Sequence, residues 1–74
     1  MKRVRKNQDL NQGQVVYFDG YYDGSLETVQ AEVICDSGEL VSFYYVHPLY
    51  PEAGKQIKCL NKKVLFINKN WKNY

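Results

Sequence analysis

The chain has 74 residues, 45% of them hydrophobic and 24% charged, with a formal net charge of +2. That is one domain, and so short a chain buries only roughly 60% of the surface it exposes when unfolded, which excludes a deep substrate cavity and argues against catalysis. No run approaches the ~18 apolar residues of a membrane helix, and the basic start Met1-Lys2-Arg3-Val4-Arg5-Lys6 leads into Asn7-Gln8-Asp9 where a signal peptide needs an apolar stretch, so a soluble, cytoplasmic protein is expected.

Residues 1–12 are polar and basic and are expected to form a flexible arm before a single domain over 13–74. Gln14 to Phe18 is rich in branched and aromatic residues, which fit a pleated, half-buried surface, so a strand is expected there. Asp19-Gly20 and Asp23-Gly24 are both turn formers, because Gly accepts positive φ and Asp bonds its own backbone. Two such steps so close predict a loop displaying Tyr21 and Tyr22 rather than a tight hairpin. Thr28 to Cys35 alternates: Val29, Ala31, Val33 and Cys35 share one face, and Thr28, Gln30, Glu32 and Ile34 the other. Asp36-Ser37-Gly38-Glu39 is a turn. Leu40 to Val46 returns as a strand, with Val41, Phe43 and Tyr45 on one side and Leu40, Ser42, Tyr44 and Val46 on the other.

His47-Pro48-Leu49-Tyr50-Pro51 ends that strand, since proline cannot donate to a ladder. The last third admits two readings. Gln56 to Leu60 and Val64 to Ile67 form two short strands joined by Asn61-Lys62-Lys63, or Ile57, Leu60, Val64, Ile67 and Trp71 form the apolar stripe of one helix. The helix would leave Cys59, Leu65 and Phe66 on its polar side, so the strands are preferred.

Gly13-Gln14-Val15-Val16-Tyr17-Phe18-Asp19-Gly20, then Ala31-Glu32-Val33, then Ser37-Gly38 resembles the opening of Tudor-like and KOW-like barrels: Gly-x-x-Val, a loop, Ala-x-Val, and a turn with glycine. The resemblance covers residues 13 to about 46. It implies an all-β fold, a small five-stranded SH3-like barrel behind a flexible basic N-terminal arm. That fold hosts many functions, so the function must come from the surface.

Charge is segregated along the chain. Lys2, Arg3, Arg5 and Lys6 open it, all acids lie from Asp9 to Glu52, and every later charge is a lysine, from Lys55 to Lys72. Asp19, Tyr21, Tyr22, Asp23 and Glu27 cluster in the predicted loop, and aromatic faces beside carboxylates suit a basic or extended peptide. Tyr44 and Tyr45 take opposite faces of the neighbouring hairpin, so one of them is expected to be exposed; with Tyr45 taken as that one and Tyr50 beyond it, this surface is the expected protein-binding site. The alternative is that the tyrosines bury their rings and leave only the hydroxyls wet. Arg3, Arg5, Lys58, Lys62, Lys63, Lys69 and Lys72 with Trp71 make a second candidate, a nucleic-acid surface that neutralises phosphates and stacks on bases. Its alternative is a set of solvated lysines that protect strand edges. Self-association of opposite charge blocks is a third possibility.

Cys35 and Cys59 lack zinc spacing and read as reduced, small core residues, a disulfide being the lesser alternative. His47 has no nucleophile matched to it by any signature. No metal site, no cofactor and no catalytic residue is expected.

Overall fold

A computed structural model describes residues 9–67 of the chain. Four strands follow one another as an antiparallel meander, β1 (Val15–Tyr22), β2 (Ser25–Asp36), β3 (Leu40–Val46) and β4 (Lys55–Asn61), paired in that order. Short 3-10 turns at Pro51–Ala53 and Lys62–Val64 precede and follow β4. The described residues are therefore all-β apart from these turns. None of their helices is long and apolar enough to cross a membrane. In the last third, strand wins over helix through Lys55–Asn61, and the helical stripe does not form among the described residues.

After the second 3-10 turn the chain comes back to β1. Tyr17 and Phe66 exchange backbone hydrogen bonds, N–H to carbonyl in both directions, at 2.8 Å each. This return is a single bridge where the sequence predicts a strand from Val64 to Ile67. It brings Leu65 into the core, and Phe66, opposite Tyr17, is buried as well.

Directly opposed residues on paired strands share a face, and the registers sort the side chains into rows. Val16, Ala31 and Tyr45 form one inner row; Phe18 faces Val29; Val33 faces Phe43. All of these but Tyr45, with Val41, Leu65 and Leu10, make the core, and the partly buried Tyr45 packs against it. Leu10 sits inside it although the sequence assigns it to the arm, so the packed unit begins before Gly13. Phe18 and Phe43 lie at the centre with ring centroids 5.1 Å apart, and Tyr45 meets Phe18 edge-on at 5.6 Å. Offset and edge-on pairs of this kind add to the burial of the rings themselves.

The predicted tyrosine loop is absent. β1 runs straight through Asp19-Gly20, and the turn is the two residues Asp23-Gly24 alone, with Tyr22 opposite Ser25. Their φ values are +53° and +80°. Two positive values suit the two-residue turns whose twist matches a hairpin, which is why Asp-Gly is favoured there. Asp19 remains in the strand because Thr28 Oγ1 donates to its Oδ1 at 2.7 Å across the ladder. Gly20 stays extended beneath the Tyr22 ring, and a Cβ there would lie 2.8 Å from Tyr22 Cε2. Gly24→Ala is expected to cost roughly 1–2 kcal/mol, the penalty of a side chain in a left-handed conformation. A shift of the urea midpoint checks it, and an unchanged midpoint would mean that the turn is not of this type.

Candidate functional site

The face opposite the core is not a plain polar surface. Val15, Glu32, Tyr44 and Ile57 oppose one another across all four strands, and beside them lie the pairs Tyr17–Gln30 and Val46–Lys55. Val15, Tyr44, Val46 and Ile57 are all exposed, Ile57 to 67%. Over β2 and β3 this face holds a groove of about 580 Å³, lined among others by Val15, Gln30, Glu32, Tyr44, Val46 and Lys55. Single exposed apolar residues are ordinary, but contiguous ones rimmed by polar groups mark interaction sites. The alternation of β3 places Tyr44 and Val46 on this face; the sequence points to one of Tyr44 or Tyr45 without deciding between them, and gives Val46 no role. What it lacked was the register that sets them beside Val15 and Ile57.

One cation lies across the groove. Lys55 on β4 and Glu32 on β2 flank β3, about two strand spacings of ~4.8 Å apart. The Lys55 side chain bridges that distance. Its Nζ stands 3.6 Å from Glu32 Oε1 and 5.8 Å from the centre of the Tyr44 ring. Both charged side chains remain well exposed, so the pair contributes little to stability.

The predicted protein-binding residues are dispersed by the strand. Tyr21 points outward and is 76% exposed, while Tyr22, its neighbour, takes the opposite face and is half-buried. Burial raises the Tyr22 phenol above its ordinary value, and the nearby Tyr45 phenol adds to the effect. Tyr22 and Tyr50 do come together, through His47. The His47 ring lies 4.9 Å from each, and its Nδ1 accepts a hydrogen bond from the Leu49 N–H at 3.1 Å. Tyr45 is half-buried on the core and its hydroxyl meets Gln56 at 3.3 Å; it also borders the groove. Of the adjacent pair, Tyr44 is the exposed one. Asp23 occupies the hairpin turn, exposed, and Asp19 is held by Thr28.

The basic block loses a member. Lys62 is only 2% exposed, with its Nζ 2.6 Å from Asp36 Oδ2. It braces the interior where the sequence reading placed it on a turn surface for phosphate. Lys58 and Lys63 are exposed. Arg3, Arg5, Lys69, Trp71 and Lys72 lie outside the described residues.

Cys35 and Cys59 are both exposed and free, which corrects their reading as core residues. For Cys35 the cause is a bulge. The β2–β3 register shifts between Val33 and Cys35, with Ile34 the extra residue. Parity reverses there, so Cys35 turns outward opposite Ser42 and Asp36 turns inward opposite Val41. Cys59 opposes the same Ser42 from β4. The two thiols thus sit on strands ~10 Å apart, beyond the ~7 Å Cα separation a disulfide spans. Among the described residues no group of three or more His, Cys, Asp or Glu could hold a metal.

In comparisons with known proteins, no family model, no curated protein and no solved structure matches the chain.

Proposed function

We propose that the protein is a non-catalytic binding module that takes an extended, basic segment of a partner protein into the groove over β2 and β3. The observation that carries this reading is the groove itself. It lies opposite the core, has the exposed Tyr44 and Val46 along it, and has Glu32 as a carboxylate at its side. Interfaces enrich such aromatic groups, and an extended peptide presents alternate side chains to a pleated surface. The adjacent hairpin face of the sequence reading is kept, with its centre moved from the tyrosines of β1 to Tyr44. The same proposal includes the finer fold, a five-stranded SH3-like barrel whose last strand passes through Phe66. The reciprocal Tyr17–Phe66 bonds support it.

Selection of a displayed 12-residue peptide library on the protein tests the reading. Selected peptides are expected to combine Arg or Lys with apolar residues, and to lose at least tenfold in affinity for a Tyr44→Thr/Val46→Thr variant, which removes the ring and the apolar side chain without adding charge. Both positions are exposed and threonine suits a strand, so that variant should stay folded, losing no more than about 1–2 kcal/mol. Peptides that bind it unchanged would remove the groove from the function. Nucleic-acid binding remains the second reading, resting at present on Lys58 and Lys63; no observation favours it over the groove.

A further inference from the structure

Lys55 occupies part of the groove with its own charge, and its position describes the ligand that would replace it. Its ammonium lies beside one carboxylate, Glu32, and above one aromatic face, Tyr44. A cation is attracted by both: by the carboxylate through charge, and by the ring through its quadrupole within about 6 Å of the centroid. Nothing in this arrangement needs the cation to come from β4. A guanidinium suits it better than an ammonium, because its planar fork can pair with the carboxylate at two points and stack on the ring.

The ion pair is exposed on both sides, 67% at Lys55 and 48% at Glu32, so opening it costs little. Lys55 also neutralises Glu32 while it stays in place. A lysine so held both fills the subsite and cancels its charge.

We infer that Glu32 and Tyr44 form a subsite for an arginine or lysine side chain of the bound partner, and that Lys55 is an internal competitor that must swing away for this cation to enter. The inference rests on the groove as the binding site and adds to it the chemistry and the self-inhibition. It distinguishes Lys55 from Lys58, an exposed lysine on the same strand. Lys58 opposes Phe43, so it leaves β4 from the core side and does not reach the groove.

The test uses the full chain, isotope-labelled, and two synthetic 12-residue peptides, one alternating Val and Arg and the other Val and Gln. Amide shifts of Gln30, Tyr44 and Val46 report occupancy. The Arg peptide is expected to move these amides and the Gln peptide to bind at least several-fold more weakly. Lys55→Ala should tighten the Arg peptide roughly two- to fivefold, the range an exposed ion pair supports. Lys58→Ala, which changes net charge equally, should tighten it clearly less, and Glu32→Gln should weaken it. Equal effects of the two lysine variants would reduce Lys55 to general electrostatics and overturn the inference while leaving the groove reading intact. Equal binding of both peptides would do the same. If neither peptide moved the groove amides, the groove reading would fall and the inference with it.

Discussion

Asp36→Asn is expected to destabilise the protein by about 3–5 kcal/mol, the cost of breaking a buried ion pair by removing one of its charges. The carboxylate joins three parts of the chain. Its Oδ2 accepts from the Leu10 N–H at 3.0 Å and faces Lys62 Nζ at 2.6 Å, and its Oδ1 accepts from the Gly38 N–H at 2.9 Å. The N-terminal segment, the β2–β3 turn and the 3-10 turn after β4 are thus held by one side chain. Asn keeps the shape but leaves the Lys62 ammonium, 3% exposed, without its carboxylate. An Asp36→Leu/Lys62→Met double variant removes both charges and should be markedly more stable than the sum of the two single variants predicts, since apolar pairs can replace buried ionic ones. Additivity in that cycle would show that the two groups are not coupled.

The same pair sets an acid limit. Burial pushes the Asp36 carboxyl upward, but the Lys62 hydrogen bond and those from Leu10 and Gly38 outweigh it, and the group is held below its ordinary value of 3.8. A carboxyl depressed in the native state stabilises above its unfolded pKa, and that contribution is lost as pH falls through the native one. Stability should therefore be steady in this respect at neutral pH and decline below about 4. Denaturant midpoints from pH 7 to pH 2 measure it, and Asp36→Asn should show a flatter profile over the acidic part. Parallel slopes for the two proteins would assign the acid sensitivity to other carboxylates.

The hairpin of β2 and β3 was legible because its signals are local. Period-two alternation ran on both sides of a turn with glycine, and each strand kept one dry face through Val29, Ala31 and Val33 and through Val41, Phe43 and Tyr45. What failed needed information from another strand. The bulge at Ile34 leaves no mark that period-two counting can detect, so counting puts Cys35 on the wrong face, and Asp36 reads as turn when it closes the strand pointing inward. Between two Asp-Gly steps, only pairing decides which one turns. Here Thr28 holds Asp19 in the ladder and leaves the turn to Asp23-Gly24. Lys62 looked like surface charge because lysine is almost never fully buried without a partner, and that partner lies 26 positions earlier in the chain. The groove was least legible of all. The exposed apolar residues of its face come one or two to a strand, and only the register aligns Val15 and Tyr44 with each other and with Ile57 beside the groove.

Phe43→Ala is expected to remove about 3–5 kcal/mol, a large part of what so small a domain has to lose. Phe43 is fully buried, 5.1 Å from the Phe18 ring and 6.2 Å from that of Tyr45, and it opposes Val33. Those two rings span the thin interior from β1 to β3, and alanine would open a void between them that rigid ladders on both sides cannot close. Phe43→Leu keeps most of the volume and should cost no more than about 1.5 kcal/mol, a drop in melting temperature of roughly 6–12 °C for a domain of this size. That variant stays measurable if the alanine form does not fold. The contrast is with Tyr44, one residue further along the strand and turned to the groove. Tyr44→Ala gives up a partly exposed ring and some strand propensity, together about 1 kcal/mol or less. The two positions differ in sequence by a single step and in chemistry by a hydroxyl, so unequal losses at 43 and 44 measure the facing of β3 directly. Equal losses at the two would mean that the face bearing the groove is not the outer one.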